Sequence, residues 1–450
     1  MPEPDKLPWM GCVRNSPTDH ANPLPKRVLF DVTRTALHGG NTGVQRVVRK
    51  LLMHGPAAVD RLGPVAWEPV VWTGSRYVRY GGNLPERPHH WVATLQRLQR
   101  SRRMHRTGGD SEAVAEPIAS ESTEWMPGWM EKTIGLAQTG RASVRVRADD
   151  LLVLADAPWN SRSLLEHAER CGASVVVLLH DVLPLHVPET CEAGVPGRFR
   201  RWLDRVLAMS PRVVAVSQAT ADAVREHAQE AGLPGVDTAR FRLGSNITPL
   251  AGGLALGEID VARVRPNLPP CFLGDPTVLC VGTLEPRKDH TTLLDAFERY
   301  WSGGGEARLL IAGKIGWNAG ELLRRLDEHP RRGRRLLVFH DLDDHELTYA
   351  YRLATAVVCP SIAEGFGLPI VEALRQGSRV VATDIPAHRE AGGGAASYFT
   401  VGDADGLADL LQRLEVLPEP DPDKLAETID WVSSTEEFFA AALGVEWATR

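Results

Sequence analysis

Apolar positions in this chain fall into short buried runs separated by stretches of helical period, and that alternation points to α/β organisation. Arg27-Val-Leu-Phe-Asp-Val32 reads as a buried strand, and Val44, Val47, Val48, Leu51 and Leu52 recur at helical spacing to about His54. Between them lies Gly39-Gly-Asn-Thr-Gly43, so strand, glycine loop and helix open a doubly wound domain. Val65 to Tyr80 alternates apolar and polar residues around Thr73-Gly74 and predicts a hairpin. Strands follow at Leu151–Ala155, Ser174–Leu179 and Val213–Val216, and Ser217 is placed to cap a helix from about Ala219 to Ala231. Four prolines between Pro266 and Pro276 mark a break, after which a second strand–helix series runs through Val278–Val281, Leu309–Ala312, Leu336–Phe339, Ala356–Cys359 and Val380–Ala382.

The pattern divides the chain into a disordered start over 1–25, a first Rossmann-like domain over 26–268, a second over 275–430, and a terminal helix from Trp431 to Leu443 within 431–450. The stretch 97–140 is Arg-rich and then weakly periodic, and reads as a helix followed by a mobile insertion. Two such sheets in tandem enclose a cleft at their strand C-termini, where open α/β sheets bind ligands.

Composition narrows the classes. A net charge of −6 over 450 residues supplies no global field for nucleic acid. Only seven of the 51 basic residues are lysine, so a lone arginine says little and a lone lysine says more. Six scattered cysteines, without a C-x-x-C pair, suit free thiols in a reducing cytoplasm. No run reaches the roughly 18 apolar residues of a membrane span, so any membrane contact is expected to be peripheral, at the inner face of the cell membrane.

The densest chemistry is Glu364-Gly-Phe-Gly-Leu-Pro-Ile-Val-Glu372, behind the strand at Ala356 and with Pro369 suited to a first helical turn. Glycines let backbone approach a ligand, and a helix start offers N–H groups to phosphate. The two carboxylates would repel phosphate, so they suit hydroxyls on either side of it, as in a sugar nucleotide. At the mouth of the second domain's first strand, Gly282-Thr-Leu-Glu-Pro-Arg287-Lys288-Asp289-His290 sets two cations before a helix, as though a phosphate were their missing partner. His180-Asp181 closes a first-domain strand and faces the cleft, where His180 could bond a transferring sugar, act as a base, or be a structural histidine. Gly43 could bring backbone to a diphosphate or simply serve a turn. The D-x-D strings Asp341-Leu-Asp343 and Asp403-Ala-Asp405 precede helices and are explained by capping, so no protein-bound metal is expected.

Val281 to His290, Glu364 to Glu372, Thr383-Asp-Ile-Pro-Ala-His-Arg-Glu390 and His180-Asp181 together resemble retaining glycosyltransferases of family 4, the group 1 type with the GT-B fold, over about Lys26 to Leu443. Within that family the chain is most similar to bacterial mannosyltransferase-like enzymes of polysaccharide assembly. The resemblance implies an acceptor domain followed by a donor-nucleotide domain, with the terminal helix crossing back to the first. It implies that Arg287 and Lys288 hold the donor diphosphate, and that Glu364 binds the donor sugar beside Gly365, Phe366, Gly367 and Leu368. Gly282 lies at that site, Glu372 would take the ribose, Gly43 would lie near the phosphates, and His180 would be the active-site histidine. Asp289 stands where asparagine is common, and 97–140 has no counterpart.

The expected reaction moves a hexose, mannose favoured, from a nucleotide-diphosphate sugar to a hydroxyl of a glycan or lipid-linked acceptor. The nucleotide sugar is a co-substrate and no cofactor is implied. A sugar-nucleotide epimerase of the same fold would act without an acceptor, and an inactive sugar-nucleotide-binding protein would turn nothing over. A dinucleotide oxidoreductase lacks its G-x-G-x-x-G after Val32.

Overall fold

A computed structural model describes residues 24–38, 42–81, 84, 142–156, 161–209, 211–233, 235–247, 261–420 and 429–445. The expected 97–140 helix and insertion, most of the expected disordered start, and residues 39–41 of the glycine loop lie outside them.

Among the described residues the first sheet has eight strands: β1 (Arg27–Asp31), β2 (Ala66–Trp72), β3 (Tyr77–Arg79), β4 (Ser143–Val144), β5 (Asp150–Leu154), β6 (Ser174–Leu179), β7 (Arg212–Ala215) and β8 (Thr238–Arg240). Their order is β4-β3-β2-β1-β5-β6-β7-β8. The run from β2 to β8 is parallel, β2 and β3 form the antiparallel hairpin that the alternation after Val65 predicts, and β4 pairs antiparallel with β3 at the edge. The second sheet has β9 (Thr277–Val281), β10 (Arg308–Ala312), β11 (Leu336–Phe339), β12 (Ala356–Cys359), β13 (Arg379–Thr383) and β14 (Ala396–Phe399) in the order β11-β10-β9-β12-β13-β14, all parallel. Parallel strands covered on both faces read as near-continuous apolar runs, which is why they were legible.

The helices of the first domain are α1 (Thr33–His38), α2 (Gly43–Leu62), α3 (Arg162–Arg170), α4 (Leu183–His186), α5 (Val195–Ala208) and α6 (Gln218–Glu230). The second domain carries α7 (His290–Ser302), α8 (Gly320–Asp327), α9 (Asp344–Leu353), α10 (Leu368–Arg375), α11 (Pro386–Gly392) and α12 (Ala404–Leu411), and α13 (Trp431–Leu443) ends the described chain.

The periodicity of α2 suggested an end near His54, but the helix runs through Gly55-Pro56 to Leu62. A Cβ on Gly55 would lie 2.5 Å from the Trp67 ring, so the helix rests directly on β2 there. Ala58 and Val59 beyond the proline are buried, and tertiary packing outweighs the proline's cost of about 3 kcal/mol. Helix α13 returns to the first domain: Trp431, Phe438 and Phe439 are buried in the core that contains Phe30, Val48 and Leu51. Each such ring contributes roughly 2–3 kcal/mol by leaving water. Ser217, Asp343 and Asp403 cap α6, α9 and α12 by accepting from Thr220, Glu346 and Gly406 amides.

Candidate functional site

The site is built where the strand C-termini of the two sheets meet. Leaving β9, the chain turns through a short 3-10 stretch, Pro286–Lys288, and enters α7 at Asp289. Asp289 adopts φ +48°, a left-handed conformation that aspartate and asparagine tolerate best, and its carboxylate caps the Thr292 amide. Asp therefore meets the backbone demand at this position that asparagine would meet. Leaving β12, residues 360–367 lead into α10, with Gly367 as N-cap at φ +120°. The Ile362 amide donates to the Arg287 carbonyl at 2.8 Å, stitching the two loops together.

That stitching brings Arg287, Lys288 and Glu364 into one half-buried cluster. Arg287 donates from Nη1 to Glu364 Oε2 at 2.8 Å, and the Lys288 ammonium bonds Glu364 Oε1, which also accepts from Ser361 Oγ at 2.7 Å. On its other side the Arg287 Nε meets Glu285, which is almost wholly buried. Burial pushes the Glu364 carboxyl up, but Lys288 and Arg287 outweigh it and hold the group well below the usual carboxylate range. Burial likewise pushes Glu285 up, with Arg287 opposing.

These cations already have carboxylate partners, Glu364 and Glu285, which the sequence pattern did not reveal. Both cations nevertheless keep N–H groups beyond those bonds, since a guanidinium carries five and an ammonium three. The cluster can therefore accept an anion by sharing donors.

Gly282 sits under Lys288, where a Cβ would lie in ordinary contact at 3.5 Å from its stem. The glycine that close approach demands here is Gly313, just past the end of β10, whose Cβ would fall 1.7 Å from the Gly282 carbonyl. Across the cleft, a Cβ on Gly365 would lie 1.9 Å from the His180 carbonyl, so the backbones of the two domains touch. The Gly365 carbonyl accepts from Ser217 Oγ and Thr220 Oγ1 of the first domain. Phe366 and Leu368 are half-buried against the first domain's core, and a Cβ on Gly43 would lie 3.6 Å from Leu368.

The His180 ring is buried and its Nε2 donates to the Ala155 carbonyl at 3.0 Å. Burial lowers its pKa, so the ring is neutral at neutral pH and Nδ1 is left as an acceptor. Nearby strand ends carry Asp31 and Asp156, both buried, whose carboxyls bond Thr33 and Thr35 at the start of α1. Burial raises them to about 6 and about 7.

Glu372 stands apart from Glu364. It is buried in α10, accepts from Tyr351 Oη at 3.0 Å, and is bonded by Arg46 of α2 in the other domain. Sequence reasoning passed over Arg46, Glu285 and Glu390. The Glu390 carboxylate accepts the Gln218 and Ala219 amides at 2.8 and 3.1 Å, capping α6 from the opposite domain. The legible signal for Arg46 was slight: a basic residue beside buried Val47 and Val48, in a chain where arginines are abundant.

Residues 270–438 match the family model described as glycosyl transferases group 1. The chain is 30% identical to the serotype-specific mannosyltransferase WbdA of Escherichia coli over 274 residues, covering 60% of this chain and 33% of that protein. It thus spans about a third of the length of such curated relatives. Among solved structures it is similar to Anabaena HepE, solved with UDP and glucose (TM-score 0.54, 15% identity, 93% of this chain and 99% of that one). It is also similar to sucrose-phosphate synthase from Thermosynechococcus elongatus (TM-score 0.51, 15% identity, 93% and 97%). Two sheets meeting at their strand ends give the chain the GT-B fold, and its second domain matches the group 1 glycosyl transferases over residues 270–438.

Proposed function

We propose that this chain transfers a hexose, mannose favoured, from a nucleotide-diphosphate sugar to a hydroxyl of a glycan or lipid-linked acceptor in cell-surface polysaccharide synthesis. The observation that carries the reading is the half-buried Arg287–Lys288–Glu364 cluster opposite His180. Breaking a glycosyl–phosphate bond throws charge onto the departing diphosphate, and preorganised donors in a dry site stabilise that charge most in the transition state. Arg287 and Lys288 supply such donors beside the start of α10. Glu364, held ionised by them, keeps room on Oε2 to accept a hydrogen bond from a hydroxyl of the donor sugar. We favour attack by the acceptor hydroxyl from the leaving-group face, with retention, assisted by the departing phosphate. His180 Nδ1, an acceptor, suits a sugar hydroxyl.

Mannose rests on the likeness to the mannosyltransferase WbdA over a third of that protein's length. No helix of the described residues is long and apolar enough to cross a membrane. We place the chain in the cytoplasm, with any contact to the inner face of the membrane peripheral. A panel of nucleotide sugars tests the reading: the true donor raises the melting temperature and is slowly hydrolysed without acceptor. A ligand at a hundred times its Kd adds about 2.7 kcal/mol to stability. No shift with any nucleotide-diphosphate hexose would overturn the reading.

A further inference from the structure

Glu372 is the only one of the two site glutamates whose cationic partner comes from the opposite domain. Arg46 lies one turn into α2, the helix that Gly43 opens, and is buried. Its Nη1 bonds Glu372 Oε1, and its Nη2 donates to Asp344 of α9 at 3.1 Å. Tyr351 of the same α9 donates to Glu372 Oε2. Lys50, one turn further along α2, donates to the Ile247 carbonyl at 3.2 Å. The charged and titratable groups around the carboxylate are thus Arg46 and Lys50 from α2, Asp344 and Tyr351 from α9, and Cys359 at the end of β12.

We propose that Arg46 is a positioning residue for donor recognition: from the first domain it pairs with Glu372 and aims it, so the ribose-binding carboxylate is complete only when the domains meet. This rests on the reading of Glu372 as the acceptor of the donor's ribose hydroxyls. A carboxylate offers about four lone-pair sites. Arg46 takes one on Oε1 and Tyr351 one on Oε2, which leaves one on each oxygen, the arrangement that accepts two neighbouring hydroxyls. Burial pushes the Glu372 carboxyl up, and Arg46 is the foremost group opposing it. Without the guanidinium the buried acid takes up a proton, turns one acceptor into a donor, and loses its aim. Nucleotide affinity and domain closure are then the same event.

The test titrates the full chain with GDP, UDP and their 2′,3′-dideoxy analogues at pH 6 and pH 8, following heat. The wild-type protein is expected to prefer the ribose form of its nucleotide by about tenfold or more at both pH values. Glu372→Gln abolishes that preference at both. Arg46→Met diminishes it, more at pH 6 than at pH 8, Arg46→Lys restores most of it, and the Arg46→Met/Glu372→Gln double variant matches Glu372→Gln alone. Melting curves verify folding, and Arg46→Gln replaces the methionine variant if that one does not fold. Arg46→Met with the wild-type preference at both pH values, while Glu372→Gln loses it, overturns the role of Arg46. Glu372→Gln retaining the preference, or a wild-type protein showing none, overturns the ribose reading on which it rests.

Discussion

Gly365→Ala tests whether the two domains meet where the backbone says they do. Gly365 has no positive φ, so alanine adds no backbone strain and acts only through the space its methyl needs. That methyl would lie 1.9 Å from the His180 carbonyl and 3.1 Å from Asp181 Cβ. Restoring a contact near the van der Waals optimum of about 3.5 Å requires the backbones to part by roughly 1–2 Å. Parting breaks the bonds from Ser217 and Thr220 to the Gly365 carbonyl, about 1 kcal/mol each. It also re-exposes part of Phe366 and Leu368, on the order of a further 1–2 kcal/mol. A loss of about 3–4 kcal/mol shifts the closure equilibrium by roughly 140- to 700-fold. Small-angle scattering should show a larger radius of gyration for Gly365→Ala, and donor affinity should fall, while each domain keeps its own melting transition. Gly43→Ala is the control, since its methyl would meet Leu368 at an ordinary 3.6 Å and should leave the scattering unchanged. Superimposable scattering and equal donor affinity for Gly365→Ala and wild type would refute the closed contact.

Glu390→Gln removes the charge that caps α6 across the interface; closure should weaken by about 0.5–2 kcal/mol, seen in scattering at low salt and vanishing if Gln218 and Ala219 are satisfied locally. Asp156, raised by burial to about 7, keeps a proton in the folded state that the unfolded chain, with a pKa of about 3.9, releases. Its contribution to stability therefore declines as pH rises from about 4 to 7, and Asp156→Asn should gain on wild type in urea unfolding between pH 5 and pH 8; parallel profiles would contradict this. Glu364 has the opposite sign: held below its unfolded value, it contributes stability above about pH 4.3 that is lost only as pH falls through the lower folded value. Glu364→Gln should flatten the acid limb of unfolding below pH 4, and an unchanged limb would exclude the ion pair.

How much was readable in the sequence follows from the range over which each interaction acts. The strands at Arg27, Val278 and Ala356 are local apolar runs, and the caps Ser217, Asp343 and Asp403 act within three residues, so both were legible. The proximity of Arg287, Lys288 and Glu364 was legible through family likeness, but their mutual neutralisation was not, because Glu285 and Glu364 reach them only after folding. Arg46 and Glu390 bond partners 326 and 172 residues away, and no periodicity in either segment announces such a pairing. The reach of α2 past Pro56 was hidden for a related reason: Trp67, in another element, holds the helix down.

The most direct experiment follows nucleotide release and product linkage for wild type and Lys288→Met, supplied with a nucleotide-diphosphate mannose and a mannose-terminated acceptor. Methionine keeps the stem packed against Gly282, and Glu364 retains Arg287 and Ser361, so folding should suffer by only about 1–2 kcal/mol. Wild type should release nucleotide in step with a new glycosidic bond of retained configuration, and Lys288→Met should be slower by roughly 100- to 1,000-fold. Near-normal turnover by Lys288→Met, or consumption of the donor without acceptor to an epimeric nucleotide sugar, would contradict the assignment of Lys288 to the departing diphosphate.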